Sequence, residues 1–284
     1  MPIPESELII NRDGSIYHLH LKPEHLSDRI ITVGDPDRVP LVSQYFDEII
    51  YSGRKREFVT HTGYYKGKLF SVISTGMGTD NIEILMTELD ALVNVDLVTR
   101  IARQEHTTLK IVRVGTSGSL QADVPVDSLL ASTFGVGLDS LMTFYPIQYN
   151  AYESHIATEV QTCLQLPFKP YCVKGSEYLL SRLANNLLQG MTVTCPGFFA
   201  PQGREVRIKP ALPDMMSTLS KLSFEQNRLT NFEMETAGYY AMGRMLGHEV
   251  LSLNAIVANR IERTFSEQAD EVIDRLILHT LENF

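Results

Sequence analysis

The chain has 284 residues, of which 44% are hydrophobic, and a formal net charge of −9. That length suits one large α/β domain with a sizeable core. The acidic balance, with no run of Lys or Arg, argues against a nucleic-acid backbone as partner, so any anionic ligand must be met by local positive charge.

The first residues, MPIPESELIINRDG, have neither the basic start nor the apolar stretch of a signal peptide. No apolar run approaches the ~18 residues of a membrane span. A cytoplasmic location is expected. His18 and His20 stand two apart in IYHLHL. On a strand they would share a face, as half-exposed histidines or as a metal pair that lacks a third ligand. RIITVG (29–34) is short and β-branched and predicts a strand. DPDRVPLVSQYF then predicts a helix, with Asp35 as N-cap and Pro36 in the first turn. KLFSVIST (68–75) predicts a second strand, followed by the glycine turn GMGTDN. Ile82, Leu85, Met86, Leu89, Leu92 and Val93 repeat at three and four residues, the period of a helix. LKIVRVG (109–115) predicts a strand ending in a TSGS turn.

Further along, SEYLLSRLANNLL (176–188) predicts a helix and MTVTC (191–195) a strand. TAGYYAMGRMLG (236–247) predicts a helix closed by Gly247, EVLSLNAIVAN (249–259) a long strand, and the C-terminal segment an amphipathic helix. Strands alternating with helices imply an α/β layer fold. The cysteines, Cys163, Cys172 and Cys195, show no CxxC spacing and no disulfide framework, so buried or half-buried free thiols are expected.

Glycines follow three of the strands, at Gly34, at Gly76 and Gly78, and at Gly115 and Gly118. Such turns are either ordinary or places where backbone N–H groups approach an anion beyond the strand ends. None fits GxGxxG or a P-loop, so no nucleotide cofactor is indicated. Arg38 lies four residues after Gly34. Arg113 alternates with Val112 and Val114 in a strand that reads as buried. A buried guanidinium needs a partner: an Asp or Glu in a structural ion pair, or a phosphate held by its planar fork. The residue types leave both open. Glu233 and Glu235 flank Met234 just before a helix. They suit sugar hydroxyls, or the positive end of the helix dipole. In CPGFFAPQGREVR (195–207), Phe198 and Phe199 precede Gln202 and Arg204, offering an aromatic face, an amide and a guanidinium to a planar polar object such as a nucleobase.

In order, GDPDRV (34–39), KREF (55–58), STGMG (74–78), RVGTSG (113–118), FFAPQGR (198–204) and NFEMETAG (231–238) resemble the nucleoside phosphorylase-I family. FFAPQGR is similar to its uridine phosphorylase branch. The resemblance runs from about Tyr17 to Asn259. It implies a single phosphorylase/hydrolase-like α/β domain over residues 1–284, with a central mixed, partly barrel-like sheet flanked by helices. It implies cleavage of a nucleoside by phosphate, which is a co-substrate. Neither a cofactor nor a catalytic metal is expected.

By the same resemblance, Gly34, Arg38, Arg113 and Thr116 hold phosphate, and Arg56 completes that site from a neighbouring copy of the chain. Met234 and Glu235 contact ribose, with Glu233 less direct, and His18 reaches the ribose 5′-hydroxyl across the same interface. Phe198 stacks on the base while Gln202 and Arg204 read its edge. A homo-oligomer with shared sites is implied, either a dimer or a hexamer built as a trimer of dimers.

Two departures stand out. The family's Pro-Ser after GMGx is Asp80-Asn81 here, in a region that with Glu57 forms a monovalent-cation site in some relatives, and segment 141–172 matches nothing in the pattern. NAIVANR (254–260) lacks the Asp with which purine phosphorylases protonate the base. A purine or methylthioadenosine phosphorylase or nucleosidase is the alternative within the fold, and a non-catalytic nucleoside-binding homologue the alternative outside enzymes.

Overall fold

Among residues 1–284, all described by the computed structural model, the β-branched run Arg29–Val33 forms the first strand, β1. It belongs to a unit made of Met1–Val112 with Met242–Glu249. Helix α1 (Arg38–Ser43) follows, then β2 (Glu48–Lys55), β3 (Phe58–Tyr65), β4 (Lys68–Ser74), α2 (Thr79–Asn94) and a small ladder of β5 (Val95–Asp96) and β6 (Ile101–Ala102). β1 runs parallel to β4, with Ile30 opposite Ser71 and Val33 opposite Ser74. β3 pairs antiparallel with both β4 and β2.

The β2–β3 hairpin was not foreseen: β2 is exposed along most of its length and carries little apolar alternation. The α2 periodicity holds, because Ile82, Leu85, Met86, Leu89 and Leu92 are all fully buried. Each such side chain is worth about 1.5–3 kcal/mol of apolar transfer. α1 begins later than expected. Asp35 closes a turn instead of capping the helix, its Oδ1 accepting the Asp37 N–H at 2.9 Å.

The second unit comprises Arg113–Ala241 and Val250–Phe284. Its elements are most of β7 (Lys110–Ser119), then β8 (Leu129–Gly137), α3 (Ala151–Leu164), β9 (Tyr171–Lys174), α4 (Glu177–Leu183), β10 (Leu188–Thr194), α5 (Met215–Leu219), β11 (Ser223–Phe224) and β12 (Asn227–Glu233). After these come the first turns of α6 (Thr236–Leu246), nearly all of β13 (Glu249–Asn259), β14 (Thr264–Phe265) and α7 (Ala269–Asn283).

The sheet order β12-β10-β8-β13-β7 closes on itself because β7 also pairs with β12. β8, β10 and β12 are parallel neighbours, whereas β13 opposes β8 and β7 opposes β12. This is the expected mixed, partly barrel-like sheet. Phe134, Val136, Met191, Val193, Leu229 and Phe232 of its strands form one buried cluster with Ile156 and Val160 of α3 and Leu219 of α5.

Two boundaries move. β7 stays extended through Ser119, so Gly115 and Gly118 lie inside a strand and not in a turn. Packing explains these glycines: a Cβ on Gly115 would fall 1.9 Å from the Arg113 Nη1, and one on Gly118 would fall 2.9 Å from the Phe232 ring. α4 ends at Leu183, because Asn186 turns left-handed (φ 64°) and Leu188 already pairs with Leu130 in the barrel. Segment 141–172 contains α3, capped by Asn150 and Glu153, and through Tyr149 and Tyr171 it walls a cavity of about 210 Å³ together with Asp139. Cys172 and Cys195 are buried and Cys163 is exposed, all unbridged. No helix is long and apolar enough to cross a membrane.

Candidate active site

Arg113 points its guanidinium into the second unit from β7, with only 6% of the residue exposed. Its Nη2 lies 2.6 Å from Glu235 Oε2 and 3.0 Å from Glu233 Oε2. Its Nη1 donates to Asn254 Oδ1 at 3.1 Å and to Ser252 Oγ at 3.4 Å, both on β13. Of the two readings the residue types left open, the ion pair is present. Burial would lower the Arg113 pKa, but the Glu233 and Glu235 charges more than offset this and hold it above the usual arginine value.

β12 ends at Glu233, so Glu233 and Glu235 do not share a strand face. The bend at half-buried Met234 still delivers both to one cation. Glu233 has a second task at the start of α6. It accepts the N–H groups of Glu235 (2.9 Å) and Thr236 (3.0 Å) and the Thr194 hydroxyl (2.8 Å). This is a carboxylate capping a helix N-terminus, where backbone donors lack partners. Burial pushes the Glu233 carboxyl above its ordinary pKa, against the pull of Arg113 and with the Glu235 charge adding to it. Thr116 sits half-buried three residues along β7 from Arg113.

The FFAPQGR segment leaves the barrel after β10. Cys195 ties its start to Glu233, donating its N–H to the Glu233 carbonyl at 2.8 Å. A 3₁₀ turn at Ala200–Gln202 and a left-handed Gly203 (φ 66°) then fold the chain back. Glycine makes that conformation cheap. The fold-back sets the Arg204 guanidinium 3.8 Å from the Phe198 ring centroid. Arg204 Nη1 donates to the Phe198 carbonyl at 2.7 Å and to Gln202 Oε1 at 2.5 Å. Gln202 is buried, while Phe198 and Phe199 are exposed and meet edge-to-face.

Nothing in the sequence signals a role for Arg260, whose partners lie far away along the chain. Its Nη1 donates to the Gln202 carbonyl at 3.0 Å and so steadies the loop from the end of β13. Burial, with Arg260 nearby, lowers the Arg204 pKa.

The other site residues belong to the first unit. Gly34 follows the last residue of β1 and Arg38 opens α1, both half-buried. Arg56 is exposed in the two-residue hairpin turn between β2 and β3, with φ 54° and its guanidinium carbon 5.9 Å from the Tyr17 ring centroid. His18 lies in a turn and not on a strand, and it does not pair with His20. His18 Nδ1 is 2.7 Å from Glu88 Oε1, whereas His20 Nε2 is 3.2 Å from Asp13 Oδ2. Glu88 was missed, since a lone acidic residue within a helix pattern carries no signal of its partner.

Asp90, His106 and His248 place ligand-type atoms within 4.8 Å of one another. His248 Nδ1 accepts the Leu109 N–H at 3.2 Å, so the neutral ring carries its proton on Nε2, which faces Asp90 Oδ1 at 3.4 Å. That tautomer puts a proton on Nε2, which makes no hydrogen bond, and withholds the lone pair a metal needs.

Residues 28–281 match the Phosphorylase superfamily. Among solved structures, a Trypanosoma brucei nucleoside phosphorylase, described as showing uridine phosphorylase activity, aligns at TM-score 0.88 and 30% identity over 98% of this chain and 100% of its own. The uridine phosphorylase of Thermococcus kodakarensis is 29% identical over 259 residues, 91% of this chain and 83% of its own length. A DeoD-type purine nucleoside phosphorylase of Streptococcus suis is 35% identical over 114 residues, 40% of this chain and 43% of its own. The mixed closed sheet, the motif order and these matches agree: the chain belongs to the nucleoside phosphorylase-I superfamily, with the uridine phosphorylase branch strongly represented among its relatives.

Proposed function

We propose that the chain is a uridine phosphorylase, a pentosyltransferase that reversibly converts uridine and inorganic phosphate to uracil and ribose 1-phosphate in cytoplasmic pyrimidine salvage. The observation that carries this reading is the convergence of Gln202 and Arg204 beside the Phe198 ring. Uracil presents O2, N3–H and O4 along one edge. An amide both donates and accepts, so Gln202 suits O2 and N3–H, and Arg204 suits O4.

As the C1′–N1 bond breaks, its electron pair passes to the uracil ring and charge spreads onto O2 and O4. Donors aimed there bind the transition state more tightly than the substrate. C1′ becomes oxocarbenium-like, and a phosphate oxygen forms the new C–O bond while the uracil anion takes up a proton. Gly34, Arg38, Arg113 and Thr116 are assigned to phosphate, joined by Arg56 from a neighbouring copy in a homo-oligomer. Met234 and Glu235 are assigned to ribose, with Glu235 accepting from its hydroxyls, Glu233 holding the helix start behind them, and His18 at the 5′-hydroxyl.

The purine reading lacks a proton donor in the expected place. Asn259, the residue before Arg260, is buried and spends its side chain on backbone groups of Gln121, Val124, Ile261 and Glu262. Product analysis by NMR tests the assignment: uridine with phosphate should yield uracil and ribose 1-phosphate in equal amounts, and free ribose in place of the phosphate ester would refute it.

A further inference from the structure

Glu88 sits near the middle of α2 with 7% of its surface exposed, and four acceptor contacts converge on its carboxylate from one dipeptide. The His18 N–H lies 2.9 Å from Oε1 and 3.0 Å from Oε2, the Leu19 N–H lies 2.8 Å from Oε2, and His18 Nδ1 lies 2.7 Å from Oε1. An ionised carboxylate has no proton to give, so the ring must donate through Nδ1. The neutral imidazole then carries its lone pair on Nε2. Tyr17 packs edge-on against the same ring, centroids 4.7 Å apart, which limits its rotation. The His18 side chain stays 26% exposed, so a group so fixed can still meet a ligand.

We propose that Glu88 is the positioning residue that locks His18 as an Nε2 hydrogen-bond acceptor, and that this lock selects nucleosides bearing a free 5′-hydroxyl. The inference rests on the reading above, in which His18 meets the sugar. An acceptor calls for a donor. A 5′-hydroxyl supplies one, whereas a 5′-deoxy or 5′-methylthio sugar leaves Nε2 unpaired on binding. Sites built to hydrogen-bond a hydroxyl reject analogues that lack it far better than they reject a missing methylene. The pair therefore turns the enzyme toward uridine-type sugars and away from methylthio nucleosides.

The test compares kcat/KM for uridine and 5′-deoxyuridine, both with phosphate, in the wild type, Glu88→Gln, His18→Ala and the double variant. The wild type should prefer uridine by about tenfold or more, the value of one hydrogen bond. Glu88→Gln keeps the side-chain size but sets an NH2 against the donors that the carboxylate receives. Its preference should fall to near parity. His18→Ala should do the same, and the double variant should fall no further, as expected when one residue acts through the other.

A merely structural Glu88 would lower both substrates by one factor and leave the preference intact. Preference lost in His18→Ala but kept in Glu88→Gln overturns the Glu88 inference alone. A wild type indifferent to the 5′-hydroxyl overturns it together with the sugar assignment. Should Glu88→Gln fail to fold, ¹⁵N NMR of the wild-type ring decides: a proton on Nδ1 with Nε2 unprotonated supports the lock, and a proton on Nε2, in either the neutral or the charged ring, overturns it.

Discussion

Arg204 lies over Phe198, its guanidinium carbon 3.8 Å from the ring centroid and its Nη1 bonded to the Phe198 carbonyl at 2.7 Å. Cation–π attraction and this backbone bond fix the plane of the guanidinium, and the Gln202 amide oxygen fixes its edge. In the proposed base site the donor set is thus built in advance of a ligand, which is the condition under which electrostatic stabilisation is most effective.

Arg204→Ala should therefore lower kcat/KM for uridine by about 10²–10³, the scale of losing one such donor. Arg204→Lys should recover only a small part, because an ammonium neither stacks on the ring nor offers a planar fork. Steady-state kinetics on both variants check this. Full activity in Arg204→Lys would show that charge alone matters at this position.

Removal of Arg113 has two separable effects. Arg113→Ala leaves Glu233 and Glu235 buried without their cation, and breaking such a pair costs about 3–5 kcal/mol. Urea denaturation should show that loss, alongside loss of phosphorolysis. Stability unchanged in Arg113→Ala would contradict the ion pair as a structural element.

Glu233 gives stability a pH signature. Burial raises its carboxyl above the ordinary 4.5, so between that value and the folded one the native chain holds a proton that the unfolded chain has released. Its contribution is complete below about 4.5 and is lost as pH rises through the folded value. The unfolding free energy of the wild type, measured relative to Glu233→Gln, should fall with rising pH across that window. A difference that grows with pH would contradict this sign.

The thiols should react unequally. Burial first, with the Glu233 charge adding to it, pushes the Cys195 thiol far up, and Cys172 is buried, whereas Cys163 is exposed. Thiolates are the reactive form, and access is required as well. Titration with a thiol reagent should label one cysteine per native chain, identified as Cys163 by peptide mapping, and all of them in denaturant. Labelling of native Cys195 would show that the loop after β10 opens.

The α/β class and the long elements are legible because hydrophobic period and capping residues are local, whereas the mixed sheet is implied only by the family resemblance. Ile82 to Leu92 mark α2 without reference to any neighbour, and Gly247 ends α6 with the left-handed φ (73°) expected of it. What stayed hidden depends on partners distant in sequence. β7 runs through Gly115 because that glycine makes room for a guanidinium, so its lack of a side chain reads as a turn until Arg113 is placed. Glu88 and Arg260 act on residues 70 and 58 positions away, a distance no periodicity spans. The 198–204 segment was the exception: its aromatic, amide and guanidinium groups are so close in sequence that their convergence needed only one left-handed glycine.

The most direct measurement is uracil release from uridine by the purified protein, with and without millimolar phosphate, with inosine as a parallel substrate. The account predicts rapid release that requires phosphate and negligible cleavage of inosine. Cleavage of inosine in preference to uridine would contradict the assignment of Gln202 and Arg204 to a pyrimidine edge, and release of uracil at the same rate without phosphate would contradict phosphorolysis itself.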